Sequence, residues 1–562
     1  MLRCPPCIGT LSELFWLPGK TVSLRAALCL GPVATTAQPA LSERMPRFRR
    51  VLHGATSGYV LLIVTSLYQL ASVPLALHYL SKERFALWAL MASIGGYLSL
   101  IDLGMSGSVA RLLIDHKDSR EGGTYGSLIR TGWLVLGVQG AIVFLAGFGL
   151  APAICELLAI QPDLQSEFIQ LLRWQSIIWA LSFGLRIFSH LLQAHQRIDI
   201  INYTQIAGLG LSFGLLWFFF HAGQGVFSLV WSGLPGAFLG PAVMWLACWQ
   251  MRVFPPSGAW GRASWRDFKE IFGYGKDLFL VSVGTQLIMA SQTMIITRRL
   301  GLEAAAVWSI GTKTFALVSQ VVWRFSDVSG PAFAEMIARG EHSTLRERYR
   351  TIVVSTVSLS ALAAVIYALC NSLFVTVWTH HKIAWPPWND VLLAAWMIVL
   401  ALVHCHNCFV LLTKKIGFMR YVYFVEGIVF VTMTILTIRW GGLPAMILCS
   451  ITCSILFSGT YGLWRVSRYF NLPLREVGLG WLALAAKVLV SFAPVALVGW
   501  WMLNWLDSPI LRLALNGLLG GSLGFYLFLR YGLPHELKRE LIARAPGRFN
   551  PILRRVLASA AR

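Results

Sequence analysis

The chain has 562 residues, of which 56% are hydrophobic and 13% are charged, and its mean hydropathy is +0.64. This composition excludes a soluble multidomain protein and indicates a polytopic membrane protein. The formal net charge is +22. Because the basic residues fall mainly in alternate loops and form no compact domain, we attribute this charge to membrane topology and expect no nucleic-acid partner.

The amino-terminal segment, residues 1–44, contains five prolines and short, broken apolar runs. Such a segment fits neither a spanning helix nor a secretory signal peptide. Met45 is followed by the basic run Pro46 to Arg50 and then by a long apolar stretch, as at the cytoplasmic start of a polytopic protein. We therefore expect residues 1–44 to be dispensable or a wrongly assigned start, with translation beginning at Met45.

Continuous apolar runs, each long enough to cross a bilayer, predict helices rather than alternating barrel strands. Fourteen such runs are present, at about 54–79, 85–112, 131–154, 168–193, 200–221, 226–250, 275–298, 303–330, 351–378, 389–413, 418–438, 442–464, 479–504 and 509–530. The predicted fold class is an all-α polytopic membrane protein with about 14 transmembrane helices.

The basic residues of the loops predict the orientation of these helices. With a cytoplasmic amino terminus, the arginine- and lysine-rich loops after the second, sixth and eighth helices also lie in the cytoplasm. We therefore expect both termini in the cytoplasm and a location in the bacterial inner membrane. The loops on the other side are all short, which disfavours a membrane glycan polymerase or ligase, and no phosphate-loop motif of nucleotide hydrolases occurs. We expect a protein that is not an enzyme.

An internal repeat divides the predicted helices. The segment Leu80–Trp88 returns 220 residues later as Leu300–Trp308, with Leu, Glu, Ala and Trp at matching positions. This offset equals six helices, so the two halves have the same orientation and are related by an axis along the membrane normal. We predict two six-helix bundles, residues 45–255 and 256–470, around a central cavity. Two additional helices (471–532) and a basic cytoplasmic tail (533–562) follow.

Three motifs resemble a known family. The run Tyr97 to Met105 followed by Arg111, the segment Leu300–Trp308, and Pro331 to Glu335 with a charged loop are similar to bacterial polysaccharide or O-antigen repeat-unit flippases. These proteins belong to the multidrug/oligosaccharidyl-lipid/polysaccharide exporter superfamily. The resemblance implies alternating-access export of an undecaprenyl-diphosphate-linked oligosaccharide from the cytoplasmic to the periplasmic leaflet, for cell-surface polysaccharide synthesis.

The same resemblance implies the partners, namely the lipid-linked oligosaccharide, membrane lipids and other polysaccharide-assembly proteins. A multidrug or toxin extruder of the same superfamily is the alternative, and a glycan polymerase or ligase is third. An extruder of cationic drugs would use acidic cavity residues, whereas the charges at mid-depth in this chain are mainly basic. This difference favours the flippase.

Cations within apolar helices are the candidate substrate-binding residues, because a charge near the bilayer centre costs about 2.5–3.5 kcal/mol unless protein or water surrounds it. These residues are Lys313, Arg324, Arg186 and Lys487. Lys313 lies near mid-depth, and the alternative to a substrate contact is an ion pair with Glu426. Lys487, also expected at mid-depth, would by resemblance meet the diphosphate beside a groove for the lipid tail; plain helix packing is the alternative.

Acidic residues are the candidates for ion coupling or gating: Asp102, Asp327 and Glu426. Asp327 lies one turn beyond Arg324 and would neutralise it as a local ion pair. Asp102 and Arg186 form a possible structural or gating pair, or Asp102 shapes the end of its helix. Both the membrane potential and proton or sodium antiport are compatible with the sequence as the driving force.

His404 and Cys408 lie one helical turn apart, a spacing that suits two ligands of one metal ion. No second ligand pair accompanies them, and most of the ten cysteines lie in apolar helices, where a thiol behaves as a small hydrophobe. We therefore interpret the pair as packing and predict neither a metal nor a cofactor.

Overall fold

The computed structural model describes residues 41–118, 123–413, 415–503, 505–544 and 557. These ranges are almost entirely helical and contain no strand. The chain divides into two compact units, Met1–Leu52 and His53–Arg562. Of the predicted leader, residues 1–40 lie outside the described residues, and the first helix, Leu41–Tyr79, already begins within its last four positions. Most of the predicted basic tail also lies outside them.

Within the described residues, thirteen helical segments are long and apolar enough to cross a membrane. They are Thr56–Tyr79, Lys82–Asp102, Thr124–Gly149, Pro162–Ala194, Ile198–His221, Gly225–Gln250, Phe279–Leu300, Leu302–Arg339, His342–Trp378, Pro387–Leu412, Met419–Phe470, Glu476–Trp501 and Pro509–Gly532. We number them in chain order as spans 1 to 14, with Met419–Phe470 counted as spans 11 and 12.

The segment Met419–Phe470 counts twice because it folds back on itself. Its 52 residues would extend about 78 Å as one helix, far more than a bilayer core of roughly 30 Å. Gly442 breaks it with φ +57° and ψ −146°, a conformation that is accessible only to glycine. On either side of the break, Thr437 Oγ1 lies 3.4 Å from Cys449 Sγ. The fourteen predicted crossings are therefore present.

An even number of crossings returns the chain to the side on which it started. We call that side the terminal side and the other the far side. Spans 1–6 form the first bundle and spans 7–12 the second. Spans 13 and 14 follow them, with the helix His535–Arg544 beyond span 14.

The repeated segments lie next to each other. Spans 2 and 8 both begin at the far side, and Lys82 Nζ of span 2 lies 2.6 Å from Glu303 Oε1 of span 8. Glu303 is the repeat counterpart of Glu83 in span 2. The contact between equivalent segments agrees with a rotation axis along the membrane normal, while the exact bundle boundaries stay a prediction.

The buried apolar side chains show how the two bundles meet. A far-side core includes side chains from both bundles, among them Leu90, Phe168, Ile296 and Trp396. Toward the terminal side there are two smaller cores, one with Leu113 and Leu191 of the first bundle and one with Phe409 and Trp481 of the second bundle and span 13. The helix Trp265–Met289, which leads into span 7, packs on the first of these cores through Ile271. The bundles therefore share a large core at the far side and a smaller contact toward the terminal side.

Two hydrogen bonds, one from the end of span 9 and one from the loop that follows it, join span 1 and reinforce the far-side junction. Trp378 Nε1 donates to the Leu70 carbonyl at 2.8 Å, and Lys382 Nζ donates to the Leu77 carbonyl. Together with the Lys82–Glu303 ion pair, they close the far side across the bundle interface.

Close packing inside the second bundle depends on a glycine. A Cβ atom added to Gly284 of span 7 would overlap the carbonyl oxygen of Tyr423 in span 11. Gly427 faces the same contact, where an added Cβ would lie 2.9 Å from the Gly284 carbonyl oxygen. The absence of side chains at both positions allows the two helices to touch.

We predict that Gly284→Val separates spans 7 and 11 and lowers the stability of the purified protein by about 1–3 kcal/mol, the usual cost of overpacking. Gly273→Val is the matched control, since Gly273 is exposed on the same helix, Trp265–Met289, and an added Cβ meets no atom within 4 Å. Thermal unfolding in detergent measures both. Equal melting temperatures for the two variants would contradict the close contact.

Candidate functional site

Lys313 lines a cavity of about 310 Å³ at the interface between the two bundles. Span 2 contributes Trp88 and Ser93, span 7 contributes Gln286, and span 8 contributes Ser309 and Lys313 itself. Eleven residues separate Lys313 from the start of span 8, which is about 16 Å along a helix and close to mid-depth. No acidic residue lines this cavity. Within the described part of the chain, the ammonium group has neither an ion-pair nor a hydrogen-bond partner.

The predicted alternative, an ion pair of Lys313 with Glu426, is not formed. Glu426 is buried in span 11, and its two carboxylate oxygens accept hydrogen bonds from the backbone N–H and the hydroxyl of Ser458 in span 12, both at 3.1 Å. The carboxyl group therefore joins the two arms of the Gly442 hairpin. Lys313 is left to face the cavity.

A buried polar network holds the backbone just before Lys313. Span 8 is interrupted at Thr312, between the helices Leu302–Gly311 and Lys313–Asp327. The Gly311 carbonyl accepts a hydrogen bond from Asn371 Nδ2 of span 9 at 3.1 Å. Asp390 Oδ1 of span 10 accepts from Asn371 Nδ2 at 2.7 Å and from Trp385 Nε1 at 2.6 Å.

Asp390 is the centre of this network and is fully buried, although its sequence position suggests nothing unusual. An acid in the first turn of a helix is ordinarily an interfacial residue that favours the helix dipole. The available signal was the cluster Trp385 to Asp390, in which aromatic and polar residues follow two prolines. This pattern is too common in loops to predict a buried network.

Arg186 and Asp102 form the predicted pair, with 4.0 Å between Arg186 Nη1 and Asp102 Oδ1. Asp102 also shapes a helix end, because its carboxylate accepts from the Ser106 N–H at 3.3 Å just beyond Leu103 and Gly104, which have φ +50° and +74°. Both sequence interpretations of Asp102 therefore describe its contacts.

Arg186 does not join Lys313. It lines a separate cavity of about 710 Å³ among spans 1, 4, 5 and 6 of the first bundle. Its guanidinium also lies over the Phe183 ring, 4.3 Å from the centroid. Lys313 and Arg186 therefore line different cavities.

Arg324 is exposed and does not pair with Asp327 as predicted. Asp327 Oδ1 instead lies 2.8 Å from Nε2 of His404 in span 10. Asp327 does not pair with Arg324 of its own helix, because His404 of span 10 lies beside it as an alternative partner. Arg324 lies about 16 Å from Lys313 along span 8, toward the terminal side.

Lys487 lies beside the end of span 14, eleven residues from the start of span 13, and its position at mid-depth stays a prediction. Its neighbour Val488 packs on Gly532, at the end of span 14. Burial, together with the neighbouring charges of Arg530 and Lys487, lowers the pKa of Lys538 just beyond that span. At the start of span 13, Trp481 packs on Tyr349 near the start of span 9, with 5.8 Å between ring centroids.

A second group of cations escapes the sequence-based prediction. Arg298, Arg299 and Arg439 line a crevice of about 550 Å³ that runs toward the far side between spans 2, 7 and 11. At its inner end, the Tyr97 hydroxyl is hydrogen-bonded to the Ser291 hydroxyl. The signal was present, since arginines are scarce in the far-side loops, but single arginines at helix ends are usually interfacial anchors.

Only the contact between spans 2 and 7 separates this crevice from the Lys313 cavity. Gly96 and Ala290 line the Lys313 cavity, while the next residues in sequence, Tyr97 and Ser291, line the crevice. Gly96 permits the close approach, because an added Cβ would lie 2.9 Å from Gln286 Oε1.

The fold has relatives among solved transporters. An inward-facing multidrug resistance MATE family transporter aligns with a TM-score of 0.60 and 13% identity, over 72% of this chain and 95% of that one. The lipid II flippase MurJ, in an inward closed conformation, aligns with a TM-score of 0.60 and 11% identity, over 85% and 99%. A transporter of the MOP superfamily from Pyrococcus furiosus aligns with a TM-score of 0.51 and 13% identity, over 75% and 96%.

At these identities the structural likeness establishes the fold alone, and it confirms the predicted fold class. No curated protein matches the chain. A family described as "Polysaccharide biosynthesis protein" matches residues 79–382, more than half of the sequence. The chain is a multi-pass membrane protein of this polysaccharide biosynthesis family.

Proposed function

We propose that the protein flips an undecaprenyl-diphosphate-linked oligosaccharide from the cytoplasmic to the periplasmic leaflet of the bacterial inner membrane, for cell-surface polysaccharide synthesis. In this proposal the terminal side is cytoplasmic, and the protein is a transporter rather than an enzyme. The observation that carries it is Lys313, a cation near mid-depth in a cavity between two bundles, which has no ion-pair partner among the residues that the structure describes.

The charges that line the Lys313 cavity and the arginine crevice, both between the two bundles, favour an anionic headgroup. An ammonium group at mid-depth is costly, so its placement without an acidic partner suits a ligand that brings the negative charge. The arginine crevice adds donors that suit phosphate oxygens, because a guanidinium can hydrogen-bond two of them at once. No acid lines either cavity, which disfavours an extruder of cationic drugs.

Alternating access follows from the way the bundles are joined. A large shared core and three cross-bundle contacts close the far side, whereas toward the terminal side, among the described residues, the second bundle adds only Ile271 and the partly buried Phe268 to the core of the first bundle. The headgroup would enter from the terminal side, meet Lys313, and leave past Tyr97 and Ser291 toward the three arginines once the far side opens.

The lipid tail needs an apolar surface during this movement. A largely apolar groove of about 530 Å³ lies between spans 9, 10 and 13, with Trp388 and Trp500 among its lining residues. An isoprenoid chain that stays in this groove, in contact with membrane lipids, would not have to cross the polar cavity. Span 13 thus contributes to a tail path, as the family resemblance implies.

An inside-negative potential drives an anion outward by about 2.3 kcal/mol per charge per 100 mV. This energy suits the direction of export without ATP. Under the alternative, proton or sodium antiport, Glu426 is the best-placed carrier, since it is buried between spans 11 and 12 and bonded to Ser458 alone. Asp102 and Asp327 each have a basic side chain beside them.

We expect Lys313→Ala and Lys313→Glu to reduce flipping about tenfold or more, because a hydrogen bond to a charged group is worth about 1.5–3 kcal/mol. Lys313→Arg should retain more activity than either. The assay complements a gene deletion and measures, with a membrane-impermeant probe and mass spectrometry, which leaflet holds the lipid-linked saccharide.

Lys269→Ala is the control for this series, since Lys269 is an exposed cation on the terminal side. Full activity of both Lys313→Ala and Lys313→Glu would refute the cavity assignment. In the deletion strain itself, accumulation facing the periplasm would indicate a polymerase or ligase, and altered drug sensitivity without accumulation would indicate an extruder.

Asp390→Ala should impair flipping although Lys313 is unchanged, because it leaves the donors of Asn371 and Trp385 without their acceptor beside the break in span 8. Each unsatisfied buried group costs about 1–3 kcal/mol, so the melting temperature should fall as well. Asp507→Ala changes an exposed loop residue and should alter stability by no more than about 0.5 kcal/mol. Unchanged flipping and melting in Asp390→Ala would show that the network does not position Lys313.

Closure of the far side can be tested by cross-linking. Cysteines at positions 82 and 303, joined by a short bifunctional thiol reagent that can be reduced, should stop flipping, and reduction should restore it. Each single substitution, Lys82→Cys or Glu303→Cys, treated with the same reagent is the control. Continued flipping with the cross-link in place would exclude opening of this contact as a step of transport.

A further inference from the structure

Three side chains with different metal-binding atoms meet between spans 8 and 10. Asp327 Oδ1 lies 2.8 Å from His404 Nε2, and His404 Nε2 lies 3.6 Å from Cys408 Sγ. The three ligand atoms lie within 4.8 Å of one another. Asp327 is also a candidate ion carrier, whereas His404 and Cys408 have no role in the proposed transport path.

The local sequence explains the arrangement. His404 and Cys408 are four residues apart and therefore lie on the same face of span 10. Asp327 ends the helix Lys313–Asp327 of span 8. Trp323, one turn before Asp327, stacks on the His404 ring with 4.7 Å between centroids and an interplanar angle of 9°, which fixes the orientation of the imidazole.

We propose that Asp327, His404 and Cys408 bind a divalent transition metal of the Zn²⁺ class. Zinc takes carboxylate, imidazole and thiolate ligands at about 2.0–2.3 Å in a tetrahedron, so its ligand atoms are roughly 3.3–3.7 Å apart. The three side chains reach such spacing with small rotations. Thiolate and imidazole ligands select Zn²⁺ or Co²⁺ over Mg²⁺ and Ca²⁺. A metal site at this position revises the sequence-based interpretation of His404 and Cys408 as packing residues alone.

A fourth coordination position is available to water. Asp327 and Cys408 both line a small cavity of about 260 Å³ beside the cluster. The cluster lies toward the terminal side, because Asp327 follows Lys313 along span 8 and His404 is near the end of span 10. A metal here would tie the end of the Lys313 helix to span 10. The binding site does not depend on the identity of the transported substrate.

Cobalt titration tests the site in the purified full-length protein. After chelation of bound metals, Co²⁺ should produce a thiolate charge-transfer absorption and tetrahedral d–d bands with one equivalent per chain, and Zn²⁺ should displace it. Cys408→Ser should remove the thiolate band. Asp327→Asn and His404→Gln should weaken binding about tenfold or more, since even indirect partners of metal ligands contribute that much.

Two controls address the other cysteines. Cys370→Ser changes a half-buried thiol of span 9, and the double variant Cys4→Ser/Cys7→Ser removes the Cys-Pro-Pro-Cys motif near the amino terminus. Both should keep the Co²⁺ spectrum of the unmodified protein. A spectrum that persists in Cys408→Ser, or that disappears in the double variant, would overturn the proposal, as would the lack of any thiolate band.

Alkylation of the unmodified protein gives a second measurement that does not require a variant to fold. Saturating Zn²⁺ should protect Cys408 from a thiol reagent, as mapped by mass spectrometry, and should leave the labelling of Cys370 unchanged. Equal labelling of Cys408 with and without Zn²⁺ would contradict metal binding at this site.

Discussion

The constraint on which the rest of this structure depends is a cation near the middle of a membrane, Lys313, that has no acidic partner in the described part of the chain. The position of Lys313 is set by its backbone, since span 8 is interrupted at Thr312 and the adjacent Gly311 carbonyl is bonded by Asn371. Asp390 in turn holds Asn371 and Trp385 through one carboxylate oxygen. Hydrogen bonds of this kind are electrostatically stronger in a low-dielectric interior than in water. Polar groups of spans 9 and 10 thus hold the backbone next to Lys313, and the Lys313 side chain lines a cavity that could receive a ligand.

The distribution of the buried cores bears on the proposed alternating access. The largest core shared by the two bundles lies at the far side, where the repeated segments also meet through Lys82 and Glu303. Rocking about this junction would have to separate a smaller contact on the terminal side, where Ile271 of the second bundle packs in the core of the first. Packed interfaces of this kind have discrete arrangements rather than continuous ones.

Periodicity and composition predict the helices, their number and the two-fold repeat, since these depend on properties of each segment alone. They even place the break between spans 11 and 12, where a proline follows Gly442 by two residues. Periodicity and composition do not predict the contacts between helices, because these contacts depend on the rotation and depth of each helix. Asp327 therefore pairs with His404 of span 10 rather than with Arg324. The buried Asp390 and the three arginines of the far-side crevice were not predicted for the same reason.

Span 8 combines the parts that an alternating-access cycle has to coordinate. Its first turn carries Glu303, which closes the far side; its middle carries Lys313; and the end of its second helix carries Asp327, bonded to span 10. An interruption at Thr312 separates Glu303 from Lys313 and Asp327, which share the helix Lys313–Asp327, and a second interruption follows Asp327. Such breaks let short helices reorient without loss of their internal hydrogen bonds. A ligand charge at Lys313 would therefore act on span 8, the same span that closes the far side. A metal at Asp327 would hold the terminal-side part of span 8 against span 10.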